Sequence, residues 1–156
     1  MGRFIGELGT DVFGVTLDET KVGCLTLSTA QAIASDDDGV LAFTEGSASA
    51  AVVVATGFGA MPYPRNLIVT PGGTTAGVPE GNVTVVGTNF ADEVISEAFA
   101  FAANATAATV GAKAFKTVTS VTIPQLDEAG ATFKVGWGDK LGLPVMSAYN
   151  PVLGAT

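Results

Sequence analysis

From residue 50 onward the chain is cut by glycine and proline into short runs of β-branched and aromatic residues, spaced about 10–15 residues apart, with no long helical repeat between them. That punctuation leaves few folds open. Residues 50–56 form an apolar β-branched run that reads as a buried strand. Met61-Pro62-Tyr63-Pro64 is a rigid connector, since each proline fixes its own φ and biases the residue before it towards extended backbone. Residues 67–70 read as a strand ended by Pro71-Gly72-Gly73, and residues 74–82 as a loop. Residues 82–88 and 93–102 read as the arms of a hairpin around a turn at 87–92. Residues 104–111 read as a turn. Residues 115–123 form one strand, with Phe115, Val121 and Ile123 on one face and Pro124 at its end. Residues 132–137 alternate strictly, Phe133, Val135 and Trp137 pointing one way and Thr132, Lys134 and Gly136 the other. The expected fold is all-β, an antiparallel β-sandwich or barrel. No internal repeat is present.

The first 50 residues read differently. Glycines at 2, 6, 9, 14 and 23 interrupt residues 1–23, and each glycine inside a helix costs about 1 kcal/mol against alanine, so no helical stripe survives. The segment reads as an extended glycine-rich arm whose apolar side chains lie on a neighbouring subunit, or as an ordinary N-terminal strand of the same domain; both remain open. Phe4, Ile5, Leu8, Val12 and Phe13, with Tyr149 near the other end, are the candidate subunit-contact residues. Residues 24–35 start like a strand, and Thr29 caps a short helix. Asp36-Asp37-Asp38-Gly39 reads as a turn, residues 40–43 as a short strand and 45–49 as a loop. The expected organisation is an arm or small β subdomain over 1–50, a β-sandwich domain over 51–146, and a tail over 147–156.

Composition narrows function. Seven bases against fifteen acids give a formal charge of −8, without histidine. Charged residues are 14% of the chain, against about 25% in an ordinary soluble domain. With 47% hydrophobic residues, disorder is excluded. An acidic chain repels phosphates, so nucleic acid is not an expected partner. One cysteine, Cys24, rules out a disulfide framework and reads as a buried thiol. The uncharged run 46–64 carries two serines, three glycines and two prolines, and reads as a strand rather than a membrane span. Arg3 is followed by Phe4-Ile5-Gly6-Glu7, not by a signal-peptide core, so synthesis and retention in a cytoplasm is expected. The excess apolar residues point to contact between copies, a homo-oligomer rather than a monomer.

Little in the chain suggests chemistry. Asp36, Asp37 and Asp38 are adjacent, unlike the spaced acids of a calcium loop, and read as a solvated turn. Gly57-Phe58-Gly59 and Gly136-Trp137-Gly138 lack the remainder of any phosphate-binding loop. The sequons at Asn82 and Asn104 are chance matches for a chain that stays in a cytoplasm. Trp137, Tyr63 and Tyr149 read as core and contact residues before a sugar-stacking platform. No catalytic residue, cofactor site or metal site is expected, and no enzyme activity.

One stretch carries a more specific signal. It runs Asn82-Val83-Thr84-Val85-Val86-Gly87-Thr88-Asn89-Phe90, then Glu93-Val94-Ile95-Ser96-Glu97, then Ala114-Phe115-Lys116-Thr117-Val118-Thr119-Ser120-Val121, and ends Val135-Gly136-Trp137-Gly138-Asp139-Lys140-Leu141-Gly142-Leu143-Pro144. Over residues 64–146 this resembles a β domain of structural proteins in tailed bacteriophages. The resemblance implies a virion protein, most like a capsid decoration (cement) protein on the capsid exterior. Its implied partners are the major capsid protein and further copies of itself, commonly as a homotrimer. The alternatives are a tail or head–tail connector component, and a carbohydrate- or receptor-binding module on a fibre.

Overall fold

The computed structural model describes Ser28 and residues 34–142. Eight strands follow in order: β1 (Asp36–Glu45), β2 (Val52–Val54), β3 (Arg65–Gly73), β4 (Gly81–Thr88), β5 (Val94–Phe101), β6 (Thr109–Phe115), β7 (Thr117–Ile123) and β8 (Ala131–Leu141), with one 3-10 turn at Thr75–Gly77. They form two four-stranded sheets, ordered β1-β8-β3-β6 and β2-β7-β4-β5, with all pairings antiparallel. The sheets are not closed into a barrel. This is the strand order of the eight-stranded jelly roll, two Greek keys wound into one sandwich.

Alternation explains the core. Val83 and Val85 on β4, Phe99 and Phe101 on β5, and Val121 and Ile123 on β7 point inward from one sheet. Leu67 and Val69 on β3, and Phe133, Val135 and Trp137 on β8, point inward from the other. Phe101 and Phe133 meet edge to face at 5.5 Å across the sandwich, a geometry that aromatic quadrupoles favour. Among the described residues, no helix is long and apolar enough to cross a membrane.

Several local expectations change. The division drawn at residue 50 falls inside the sandwich, because β1 is hydrogen-bonded to β8 from Glu45↔Thr132 to Asp36↔Trp137. Asp36-Asp37-Asp38-Gly39 opens that strand rather than forming a free turn. The pairing register shifts between Asp36 and Leu41, so the extra residues bulge out, and the Asp38 N–H donates to Asp36 Oδ1 at 3.2 Å. Only Val52–Val54 of the run 50–56 is strand, and it sits at a sheet edge. β3 continues through Pro71 to Gly73, where it retains β8 on one side but has passed Val69, its last residue paired with β6. A proline there interrupts a ladder with only one strand neighbour.

The expected single strand over 115–123 is two. Phe115 ends β6 in one sheet and Thr117 begins β7 in the other, with Lys116 at the crossing. Residues 109–111, read as the end of a turn, are instead the start of β6.

Candidate interaction surface

The two sheets differ sharply in charge. The sheet β1-β8-β3-β6 carries four acids on β1 (Asp36, Asp37, Asp38, Glu45), Arg65 on β3, Lys113 on β6, and Lys134, Asp139 and Lys140 on β8. The sheet β2-β7-β4-β5 carries one charged residue, Glu97 on β5. Glu97 alternates with Ser96 and Ala98 and takes an inward position at the sheet edge. The outer face of this sheet therefore has no charged side chain on any of its four strands.

Register shows what covers that face. Val53, Thr122, Thr84 and Ala98 form one row across the four strands, and Ser120, Val86 and Ser96 form the next. Val53 is 63% exposed and Val94, at the end of the β4–β5 hairpin, 77%. Both are large apolar side chains facing solvent. The hydroxyls are partly tied down: Thr88 and Thr117 share a hydrogen bond of 2.8 Å, and Thr119 Oγ1 donates to the Val86 carbonyl at 3.2 Å. The charges lie around the rim, with the Lys116–Asp92 ion pair of 2.7 Å joining the β6–β7 crossing to the hairpin turn. An uncharged centre inside a charged rim is the pattern of protein–protein contact surfaces.

The opposite outer face is charged and partly occupied. Lys134 Nζ bonds Asp37 at 2.5 Å and lies 4.9 Å from the centre of the Phe43 ring. The backbone at Asp36 and Asp37 passes directly over Gly136, where a Cβ would come within 1.9 Å of the Asp36 carbonyl oxygen. Beside it, Ala34, Ser35, Asp36, Asp37 and Ile68 line a hollow of about 510 Å³. The carboxylate oxygens of Asp36, Asp37 and Asp38 approach within 4.8 Å of one another. Asp37 is committed to Lys134. A side-chain hydrogen bond with Asp36, followed by desolvation and repulsion from Asp36 and Asp37, raises the Asp38 carboxyl above its ordinary value of 3.8, with Lys134 opposing.

The sheet edges are blunted. At the β5/β6 edge, Glu97 accepts from the backbone N–H of Ala112 at 2.7 Å and of Lys113 at 3.3 Å. Lys113 Nζ donates to the Ser96 carbonyl at 2.6 Å, and Thr109 Oγ1 to the Ala100 carbonyl at 3.2 Å. Side chains thus take up backbone groups that would otherwise template another strand. On the other side, the Gly59 N–H bonds the Val40 carbonyl of β1 at 2.8 Å, and β2 has only three residues.

The candidate contact residues Phe4, Ile5, Leu8, Val12, Phe13 and Tyr149, and Cys24 and Thr29, lie outside the described residues. Trp137 is 6% exposed and Tyr63 8%, so these two rings belong to the core and form no open platform. Sequence reading did not find the face of β2-β7-β4-β5, although its Thr/Ser/Ala alternation was visible strand by strand. It also missed Asn66, which is buried and donates to the Gly111 carbonyl at 3.2 Å while accepting from the Lys140 N–H at 2.9 Å. Comparison with family models, curated proteins and solved structures gives no match.

Proposed function

We propose that this chain is a structural protein of a virus particle, a decoration protein that binds the outer surface of a bacteriophage capsid and strengthens contacts between capsomers. The observation that carries this reading is the uncharged outer face of β2-β7-β4-β5 on a chain of net charge −8. A sheet face that keeps charge off four strands is suited to being covered by protein, since every buried unpaired charge would cost several kcal/mol. The acidic remainder suits a surface that must not bind the packaged nucleic acid. Repetition over a lattice turns a modest contact per copy into resistance to rupture. The major capsid protein and further copies of this chain are the partners in this reading.

The test is cryo-microscopy of virions made with and without the gene for this chain. The decoration reading expects regular density on the outer head lattice, lost on deletion together with heat or osmotic resistance. Density confined to the tail supports the tail or connector alternative instead.

A further inference from the structure

A β-sandwich can meet another protein through a sheet edge or through a sheet face. Here Glu97, Lys113 and Thr109 seal the β5/β6 edge, Gly59 covers the middle of β1, and β2 is too short to template a long pairing. The outer face of β1-β8-β3-β6 is charged and crossed by its own chain. The outer face of β2-β7-β4-β5 remains, and it is without charge.

We propose that this face packs against the same face of a second copy of this chain, about a two-fold axis. The inference rests on reading the face as an assembly surface and names its partner. Charge is the first argument. Two copies of a −8 chain repel, and this face lets them meet without bringing like charges together. Chemistry is the second. In a two-fold contact the same patch meets itself, residue i against residue j and j against i, so every group on the face must suit the others on it. A hydroxyl is both donor and acceptor, so Thr84, Thr122, Ser120 and Ser96 are self-complementary, whereas a face of carboxylates or ammonium groups is not. Val53, Val86 and Val94 add apolar area that is favourable against any like surface.

The size of the face sets the strength. Three strands of seven or eight residues and the three-residue β2, spaced about 4.8 Å apart at about 3.3 Å per residue, project an area on the order of 400 Å². Two such faces bury on the order of 800 Å², below the standard interface of about 1,200–2,000 Å², which marks a weak, reversible dimer rather than an obligate one.

The experiment is sedimentation of the full chain over a concentration series, with Thr84→Glu and Thr84→Lys alone and mixed. Thr84 lies in the middle of the face, paired to Thr122 and Ala98, and its side chain points away from the core, so both variants are expected to fold. Val86→Glu and Val86→Lys repeat the test one row away should either not fold. The expected result is a reversible dimer of the unmodified chain, at least about tenfold weaker for each variant alone and restored in the mixture, since opposite charges then face each other. A chain that stays monomeric at every concentration overturns the inference. So does a trimer, or association unchanged by both variants. Binding to capsids without self-association overturns this partner alone and leaves the decoration reading intact. Self-association without capsid binding overturns the decoration reading alone.

Discussion

Glu97 on β5 and Lys113 on β6 lock the two sheets together at one edge by a reciprocal exchange: the Glu97 carboxylate accepts the Lys113 backbone N–H, and the Lys113 ammonium donates to the carbonyl of Ser96, the residue beside Glu97. Replacing Glu97 by alanine leaves the N–H groups of Ala112 and Lys113 on an open strand edge. The expected loss is about 1–2 kcal/mol, as for a charge-assisted hydrogen bond that is partly solvated. Denaturant titration measures it. Thioflavin fluorescence on prolonged incubation is expected to rise as well, because the edge becomes a template for pairing.

Asn66 sits where two ladders lose register, between Asn66 and Ile68 against β6 and between Arg65 and Leu67 against β8. Its amide supplies the Gly111 carbonyl and the Lys140 N–H with partners that the disrupted ladders do not. Asn66→Ala leaves both groups without that side chain and is expected to cost about 2–4 kcal/mol, read as a lowered denaturation midpoint. An unchanged midpoint would mean that water replaces the amide fully.

Gly136→Ala places a methyl group where the backbone of Asp36 and Asp37 crosses β8. The segment must lift, at an expected cost of about 1–3 kcal/mol. Trp137 reports the movement, because its Nε1–H donates to the Ala34 carbonyl at 3.1 Å. The emission of Trp137 is expected to shift to longer wavelength as water reaches the ring.

The three adjacent aspartates give a pH dependence of definite sign. The Asp38 carboxyl is raised above 3.8, chiefly by its hydrogen bond with Asp36. A folded-state value above the unfolded one means that this group favours folding below pH 3.8 and that the contribution is lost as pH rises through the raised value. Asp38→Asn removes the loss. Melting temperatures from pH 3.8 up to neutrality are expected to fall less steeply, or rise more, in the variant than in the unmodified chain.

Legibility in the sequence followed the physics of alternation. The strict in–out pattern at Phe133, Val135 and Trp137 identified β8, and the Gly87–Asp92 signals identified the β4–β5 hairpin, because both depend on local residues alone. Phe115, Val121 and Ile123 all face the core as expected, yet they belong to two sheets. Both sheets of a sandwich look onto one core, so periodicity is blind to the crossing at Lys116. Pro71 and Gly72 read as terminators because the number of neighbours of β3 at that point is not a local property. The uncharged face was illegible for the same reason. Its rows join Val53, Thr122, Thr84 and Ala98, residues up to 69 positions apart, and the jelly-roll order alone brings them side by side.

The most direct test of the assembly surface is hydroxyl-radical footprinting of the full chain, free and dilute against assembled on its particle, with labelling read at individual side chains. The account predicts that Val53, Val86 and Val94 lose labelling on assembly while Phe43 and Val110, on the opposite sheet, retain it. Protection of Phe43 and Val110 with Val53 and Val94 labelled as in the free chain would contradict it.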